Sequence, residues 1–341
     1  MRHVVITGPG KVEVCAAPDP ELPGPDGAVV EVECAAICGS DLHFFDGDLP
    51  VGDGIAVGHE FIGTVVDAGP DATDVRIGDH VLAASVTGCG RCSGCATGDP
   101  ITCVSGPQIF GSGLLGAGQA TAVGVPAADF QLLRIPDGVD NEAALLLTDN
   151  LSTGWIGAKR ADIPPGGTVV VIGAGAVGLC AVRAALSLGA GTVFAADPVP
   201  GRRSLAEDSG ALALDGPTVP AVLEATHGRG ADAVIDTVAL DATLDDAFAC
   251  VRAAGTISVL GVHGLHPYPL SMLMALVRSL TLRMTTAPIQ RTWLDLLPLV
   301  TGGQLRTDSI FTHRFALDDA AEAYALVAAR SADCIKVMLE P

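Results

Sequence analysis

The sequence predicts a β-rich N-terminal domain followed by an α/β domain with a doubly wound, largely parallel sheet. At 341 residues the chain is too long for one ordinary core and fits two domains. Short apolar segments interrupted by Gly, Pro and Asp fill the N-terminal region, a pattern typical of a β-rich domain. From residue 168 onward, apolar β-branched runs alternate with helical stretches, which indicates a parallel sheet covered by helices.

Composition and charge indicate a globular protein and disfavour some classes of partner. Apolar residues make up 49% of the chain and charged residues 17%, which favours a globular protein over a disordered one. The net charge of −20 disfavours nucleic acid and anionic membrane as partners, because both would repel it. The start, "MRHVVITGPGKVEV", does not resemble a secretory signal, and the apolar run "MALVRSLTL" is broken by Arg278. We therefore expect a cytoplasmic protein with no nucleic-acid or membrane partner.

In the N-terminal half, the stretch "GCGRCSGCATGDPITC" predicts a metal site. Its cysteines follow the spacing C-x2-C-x2-C-x7-C: Cys89, Cys92, Cys95 and Cys103. A reducing cytosol disfavours disulfides, and two-residue gaps let neighbouring thiolates turn onto one ion. Four sulfurs close a tetrahedral zinc shell without an open position, which is typical of a structural site. An iron–sulfur cluster would also take four thiolates and is the alternative.

A second group of metal-type residues precedes that loop. The segments "CAAICGSDLHFFDGD" and "AVGHEFIGTVVDAG" contain Cys38, Ser40, Asp41, His43, His59 and Glu60. A lone Cys is usually a core residue and a lone His is usually a satisfied one. Together these residues offer a thiolate, imidazoles, carboxylates and a hydroxyl. Such a set suits a catalytic zinc, which needs three protein ligands and one position free for water or substrate.

The α/β domain opens with a dinucleotide-binding pattern. A strand over Thr168–Ile172 leads into a G-x-G-x-x-G turn and a helix to about Leu188, with the glycines at Gly173, Gly175 and Gly178. The first glycine makes the turn, the second lets the backbone approach a pyrophosphate, and the third lets helix pack on strand. The helix N-terminus, with Ala176 and Val177, supplies N–H donors to the phosphates.

The next strand, Thr192–Ala196, ends at a residue that indicates which cofactor binds. Asp197 lies 19 residues beyond Gly178 and can accept hydrogen bonds from the ribose hydroxyls. Its charge would repel a 2′-phosphate, which favours NAD over NADP. Arg202 and Arg203 follow closely and temper that preference.

The strand pattern continues towards the C-terminus. Buried-strand runs cover Ala231–Val238 and Gly255–Val262 with a helix-like stretch between them, and Leu280–Met284 resembles a further strand. After about residue 285 the pattern becomes mixed, and the tail can rejoin the first domain.

These motifs, in this order and over nearly the whole chain, resemble the zinc-dependent medium-chain dehydrogenases of the alcohol dehydrogenase type. The segments that carry the resemblance are "CGSDLH", "GHEFIGTVVDAG", the four-cysteine loop, "IGAGAVG" and "CIKVML". The resemblance implies a GroES-like β-rich catalytic domain over 1–150 with a structural zinc lobe at about 88–104, a Rossmann domain over 151–285, and a segment 286–341 that returns to the first domain. It also implies a homodimer or homotetramer that pairs through the last Rossmann strand.

The resemblance implies specific metal ligands, and two zincs per chain. Cys38 and His59 match the first two ligands of a catalytic zinc, and Asp149 in "ALLLTDNLSTGW" matches the third, as in the secondary-alcohol branch. Glu60 matches a glutamate behind the metal that can approach it as a transient ligand. Asp41 matches the carboxylate that orients the His59 ring.

The resemblance also implies a proton relay and a cofactor contact. Ser40 and His43 match a relay that carries the alcohol proton, by way of a ribose hydroxyl, to water. Many relatives have a basic residue after the first zinc cysteine that contacts the pyrophosphate, whereas this chain has Gly39. Lys336 in "CIKVML" matches a basic tail position of some relatives and can contribute to that contact instead.

The implied reaction interconverts a small-molecule alcohol, preferably secondary, with its ketone or aldehyde, and NAD takes the hydride while zinc acts as a Lewis acid. Polyol, threonine or formaldehyde dehydrogenation within the same family is the alternative. Zinc-free relatives reduce quinones or enoyl thioesters on the same fold but do not have the ligand set. From another class, a non-catalytic NAD-binding zinc or redox-sensing protein would share the motifs.

Overall fold

The computed structural model describes residues 1–113 and 115–341, and the chain divides into two compact units. The first unit comprises Met1–Ser152, Pro288–Gly303 and Thr307–Pro341. The second comprises Thr153–Ala287 and Gln304–Arg306.

The described residues form 18 strands and 11 α-helices. The strands of the described residues are β1 (Arg2–Gly8), β2 (Lys11–Ala16), β3 (Ala28–Ile37), β4 (Ile55–Ala56), β5 (Glu60–Ala68), β6 (His80–Ala83), β7 (Val86–Thr87), β8 (Gln108–Ile109), β9 (Ala122–Val125), β10 (Leu132–Arg134), β11 (Thr168–Ile172), β12 (Thr192–Ala196), β13 (Leu212–Ala213), β14 (Ala231–Asp236), β15 (Val251–Val259), β16 (Thr281–Met284), β17 (Phe311–Ala316) and β18 (Lys336–Glu340). The helices are α1 (Leu42–Phe45), α2 (Ala128–Gln131), α3 (Asn141–Thr148), α4 (Asn150–Arg160), α5 (Ala176–Ser187), α6 (Pro200–Asp208), α7 (Thr218–Ala225), α8 (Asp241–Cys250), α9 (Met272–Val277), α10 (Ile289–Thr301) and α11 (Ala320–Ala328).

The first unit is built on mostly antiparallel sheets, as the N-terminal pattern predicts. Its main sheet has the order β10-β6-β5-β3-β18-β17, with β9 also paired to β3, and a smaller sheet has the order β2-β1-β4. The central strand β3 reads AVVEVECAAI and is buried along most of its length. Phe61 and Phe110 pack edge-to-face at 5.2 Å between ring centroids in the core beside this sheet.

Strand register in the main sheet determines which segments flanking the strands lie side by side. Strands β3 and β5 are antiparallel with Ala36 opposite Glu60, so the residues after β3 lie beside the residues before β5. The C-terminal strand β18 pairs with β3 on its other side, with Val337 opposite Ile37. Segments about 300 residues apart in the chain therefore meet at one end of β3.

The second unit is a six-stranded parallel sheet in the order β13-β12-β11-β14-β15-β16, the strand order of a Rossmann fold. Strands β11 and β12 have the predicted bounds. Strand β14 ends at Asp236, two residues earlier than predicted, because the Asp236 carboxylate accepts the amides of Val238 and Ala239 and turns the chain. Strand β15 begins at Val251, earlier than predicted, since α8 leads directly into it.

No helix in the described part of the chain combines the length and apolarity that a membrane span requires.

Candidate metal centres and cofactor site

The first candidate metal centre lies where β3 and β5 meet. Cys38 follows the last residue of β3 and His59 precedes the first residue of β5, so strand register places them side by side. The Cys38 thiol, the His59 ring and the Glu60 carboxylate each place a ligand atom within 4.8 Å of the others. Asp149, at the break between α3 and α4, brings its Oδ2 to 3.8 Å from His59 Nε2. The structure thus groups Cys38 and His59 with Glu60, and it places the third predicted ligand, Asp149, beside His59.

A chain of buried polar side chains orients His59. The Nδ1 atom of His59 lies 3.4 Å from Asp41 Oδ1, which leaves Nε2 on the side of the other ligands. Asp41 Oδ2 accepts the Cys38 amide at 3.0 Å and the Gln119 amide group at 3.0 Å, and Gln119 in turn accepts the Tyr324 hydroxyl at 2.9 Å. Asp41 therefore has the position expected of a residue that orients His59.

Glu60 is held from behind by two donors. Lys336 Nζ lies 2.8 Å from Glu60 Oε1 and also donates to the Ile37 carbonyl at 3.2 Å, and Asn150 donates to the same Glu60 oxygen at 3.0 Å. Burial alone would lower the pKa of Lys336, but the Glu60 carboxylate, the Cys38 sulfur and Asp149 together raise that pKa. The structure thus gives this lysine a partner inside the first candidate centre, a partner that the sequence did not predict.

The donor set of the first centre fits a zinc ion. A thiolate, an imidazole and carboxylates are the ligands that zinc takes in proteins. The second Glu60 oxygen, Oε2, is buried without a hydrogen-bond partner among the described residues, as expected for an atom reserved for a metal. Burial alone would lower the pKa of His59, but Asp41 and the Cys38 sulfur raise it well above its ordinary value. The cluster therefore favours a cation at Nε2.

The second candidate centre is the four-cysteine loop. Its four sulfur atoms lie within 4.8 Å of one another, and none of the four residues forms a disulfide: Cys89, Cys92, Cys95 and Cys103. The Cys95 amide donates to Cys92 Sγ and the Cys89 amide donates to Cys103 Sγ, both at 3.4 Å. The bond from the Cys95 amide contributes most to lowering the pKa of Cys92, to about 6, whereas burial raises the pKa of Cys95 to about 12. The loop itself supplies donors that stabilise thiolates, and its four sulfurs fit a closed tetrahedral site.

The candidate cofactor loop lies in the second unit, between β11 and α5. A Cβ built on Gly178 would lie 1.9 Å from the Gly173 carbonyl oxygen, so only glycine permits this contact of helix and strand. A Cβ built on Gly175 would meet nothing described within 4 Å, so space lies beside this backbone. Ala176 and Val177 form the first turn of α5, where amide groups have no partner within the helix.

Asp197 lies at the end of β12 and organises the cofactor loop. Its carboxylate accepts the Ala174 amide at 2.9 Å and the Val199 amide at 2.8 Å, one on each oxygen. Each oxygen retains a second lone pair for a further donor. Arg203 donates to the Asp197 carbonyl at 3.0 Å and to Asp215 at 3.1 Å, while the neighbouring Arg202 lies in the same turn of α6. The loop contacts of Asp197 were not expected from sequence.

The two predicted relay residues lie on one continuous turn. Ser40 belongs to the 3-10 turn Gly39–Asp41 and His43 to α1, three residues later and so on the same side. Ser40 Oγ lies 3.5 Å from His59 Nε2, whereas His43 Nδ1 lies 3.0 Å from Asp48 Oδ2. Ser40 therefore lies beside the first candidate centre.

Sequence reasoning missed the polar residues behind the ligands. Gln119, Asn150 and Tyr324 carry no recognisable motif and belong to segments far apart in the chain. The one available signal is the Asp-Asn pair at 149–150, since Asn150 directly follows a predicted ligand.

Comparisons with known proteins agree with the fold. The protein-family model of the alcohol dehydrogenase GroES-like domain matches residues 24–137. The family model of the zinc-binding dehydrogenase domain matches residues 176–302. A "probable zinc-binding alcohol dehydrogenase" of Mycobacterium tuberculosis is 55% identical over 341 residues, which are 100% of this chain and 89% of the relative. The solved alcohol dehydrogenase TADH from Thermus sp. ATN1 is 33% identical with a TM-score of 0.92, over 100% of this chain and 99% of that one. A structure from Sinorhizobium meliloti 1021, bound to NADP, is 30% identical with a TM-score of 0.85, over 100% and 99%. The chain thus belongs to the zinc-type alcohol dehydrogenases of the medium-chain dehydrogenase family and is an oxidoreductase.

Proposed function

We propose that this protein interconverts a secondary alcohol and its ketone with NAD as the hydride carrier. The observation that carries the proposal is that Cys38 and Asp149 each lie close to His59: the Cys38 sulfur is within 4.8 Å of a ring nitrogen, and Asp149 Oδ2 is 3.8 Å from Nε2. This set has the ligand number of a catalytic zinc site, with a thiolate, an imidazole and a carboxylate. When bound, zinc supplies a Lewis acid that lowers the pKa of an alcohol, and NAD supplies the hydride acceptor.

The chain's own residues hold the site and move the proton. Asp41 orients the His59 ring, and Lys336 with Asn150 holds Glu60 in place. Ser40 is next to His59 Nε2, where its hydroxyl can accept the proton that an alcohol loses. His43 lies on the same turn with its side chain 25% exposed, so it can pass a proton to water.

The preference for NAD rests on Asp197. Its free lone pairs can accept ribose hydroxyls, and its charge disfavours a 2′-phosphate. Because the related Sinorhizobium meliloti structure is bound to NADP, the preference between NAD and NADP should be measured directly. We expect higher kcat/KM with NAD, and we expect Asp197→Gly to shift the ratio of kcat/KM values towards NADP because the repelling carboxylate is gone. The preference for NAD would be disproved if the unaltered enzyme used NADP better.

The test of the whole proposal combines metal analysis with a substrate panel. We expect two zincs per chain, and oxidation of secondary alcohols in preference to polyols, threonine and formaldehyde. Cys38→Ser should remove one zinc and abolish turnover while NAD binding, measured by fluorescence, is retained. Cys15→Ser is the matched control, because Cys15 lies in β2 outside both candidate centres. Full activity with less than one zinc per chain would contradict the proposal.

A further inference from the structure

A third group of metal-type side chains lies in the second unit, outside both centres described above. Asp241 is the first residue of α8, and His263 and His266 lie on the segment that follows β15. His263 Nε2 lies 2.9 Å from Asp241 Oδ1, and His266 Nε2 lies 3.2 Å from the same oxygen. A tetrahedral ion with bonds of about 2.0–2.1 Å separates its ligand atoms by about 3.3 Å. Both nitrogen-to-oxygen distances are already near that spacing, and all three ligand atoms lie within 4.8 Å of one another.

Sheet register and two further contacts hold Asp241 close to the two histidines without a bound ion. Strands β14 and β15 are neighbours with Asp236 opposite Val259, so the segments that leave their carboxyl ends run side by side. The Tyr268 hydroxyl donates to Asp245 on α8 at 2.8 Å, and the Tyr268 ring stacks on Phe248 at 6.1 Å. The histidine segment is therefore anchored to the same helix that carries Asp241.

The His263 ring is held in the orientation that a metal ligand needs. Its Nδ1 lies 3.1 Å from the Gly264 carbonyl oxygen, and a carbonyl can only accept, so Nδ1 carries the proton. Without an ion, Nε2–H donates to the Asp241 carboxylate, and an ion that displaces this proton would find the Nε2 lone pair aimed at the same carboxylate. Histidine ligands in proteins are typically held in this way by a carbonyl or carboxylate behind the ring.

We propose that Asp241, His263 and His266 form an additional site for a divalent ion of the zinc or nickel type. Two imidazoles with one carboxylate suit these borderline ions rather than Mg²⁺ or Ca²⁺, which prefer oxygen ligands. The side chains of His266 and Asp241 are 63% and 51% exposed, so the ion can enter from solvent and complete its shell with water. The net charge of −20 favours accumulation of cations near the chain.

An ion at this site would tie two loops at the carboxyl edge of the sheet. A Cβ on Gly261, just before the histidine segment, would lie 2.3 Å from the Val238 backbone, and a Cβ on Gly173 would lie 2.5 Å from the Val238 side chain. The segment thus packs through Val238 against the start of the candidate cofactor loop. Metal binding should therefore stiffen this edge and raise the melting temperature of the protein.

The test is a calorimetric titration of the zinc-loaded protein with Zn²⁺, repeated with Ni²⁺. We expect one equivalent beyond the metal already present, and a rise in melting temperature that follows its binding. His263→Gln and His266→Gln should each weaken this equivalent by more than about 100-fold, because loss of a ligand costs more than the about 10–100-fold caused by loss of a partner behind one. Since both centres described earlier are unchanged in these variants, their behaviour does not affect the comparison.

His80→Gln is the matched control, because His80 pairs with a single carboxylate, Glu33, at 3.1 Å and belongs to none of the three-residue groups of the described chain. It should leave the additional equivalent unchanged. Circular dichroism without added metal shows whether the variants keep the fold. If His263→Gln does not fold, the comparison uses His266→Gln, whose side chain is exposed. The proposal is overturned if the unaltered protein and a folded His266→Gln variant bind the same amount of Zn²⁺ with the same affinity.

Discussion

At the scale of single residues, the ligands of the first centre depend on side chains that cannot touch the metal. Tyr324 donates to Gln119, Gln119 donates to Asp41, and Asp41 faces His59. Every link is buried, so each lost hydrogen bond would leave a polar atom without water to replace its partner. This arrangement makes the metal site sensitive to residues that no ligand motif includes.

Gln119→Leu should therefore weaken zinc binding without removing a ligand. The substitution leaves Asp41 with fewer donors and the His59 ring less firmly oriented, and loss of such a partner typically costs about 10–100-fold in metal affinity. The measurement is the rate at which a chelator removes zinc, compared with that of the exposed variant Gln304→Leu. Equal rates for the two variants would show that Gln119 does not support the ligand.

Ser40→Ala should lower kcat strongly, because the hydroxyl beside His59 Nε2 is the group placed to take the alcohol proton. Ser40→Thr should retain much of the activity since it keeps a hydroxyl. His43→Gln should be milder, within or below the about 10²–10⁴-fold typical of a general base, and should recover with small basic buffers or higher pH. Near-normal turnover of Ser40→Ala, with hydride transfer rate-limiting by isotope effect in both enzymes, would eliminate the relay.

At the scale of elements, a buried carboxylate joins three strands of the parallel sheet. Asp232 in β14 accepts the Thr168 amide of β11 at 2.8 Å and pairs with Arg252 of β15 at 2.7 Å and with Arg229 at 2.9 Å. Burial alone would raise the pKa of Asp232, but these donors outweigh it and hold that pKa well below its usual value. The ionised carboxylate thus stabilises the start of β14.

Asp232→Asn should lower the free energy of unfolding by about 1–3 kcal/mol at neutral pH, with little of it from the half-exposed Arg229. Because the folded pKa of Asp232 is depressed, its contribution is present above the unfolded pKa of about 3.9 and is lost as pH falls through the folded value. Urea unfolding at several pH values should therefore show the two proteins converging in acid. A constant difference down to about pH 2 would contradict this account.

At the same scale, we expect the shape of the four-cysteine loop to depend on a bound metal. Cys95→Ser should lose one zinc per chain and lower the melting temperature, because it opens a closed shell that joins the two ends of the loop. Cys38→Ser should lose the other zinc with a smaller change in melting temperature. Loss of turnover in Cys95→Ser without any loss of thermal stability would assign the loop a catalytic role instead.

At the scale of the whole molecule, one edge of the second unit carries an uncovered apolar surface. Strand β16 ends the parallel sheet, and α9 beside it in sequence has none of its residues buried. Within α9, Met272, Leu276 and Val277 are 72%, 75% and 70% exposed. A sheet edge and an apolar patch of this kind favour association, which supports the proposal of a homo-oligomer.

We expect a mass in solution that is a multiple of 34.4 kDa, most simply a dimer or tetramer. Leu276→Glu should shift the mass towards that of a single chain, because it places a charge on the apolar surface. Leu212→Glu is the matched control, since Leu212 is 57% exposed in β13 at the opposite edge of the sheet. Sedimentation of the unaltered protein near 34.4 kDa would refute the oligomer.

Much of the fold was predictable because its signals are local. Strand β11 has apolar β-branched residues, the G-x-G-x-x-G turn follows it, and β12 ends at Asp197, all within 30 residues. The cysteine loop likewise brings its sulfurs together through turns between near neighbours. The predicted bounds of β14 and β15 were less accurate. For β14 the reason is that side-chain hydrogen bonds of Asp236 end the strand, and the pattern of apolar residues gives no sign of such bonds.

The sequence by itself determined the class of fold and the family, and it predicted the ligands of the first two candidate metal centres, since residue type and local spacing are enough for these. Only the tertiary structure decided which of them meet. The register of β3 with β5 and β18 brings Cys38 beside His59 and places Lys336 against Glu60. Gln119 reaches Asp41 because long-range backbone hydrogen bonds with Val4 and Val57 hold its segment in place. The physical reason is that a buried polar atom must find a partner, and long-range strand pairing determines which partners lie within reach.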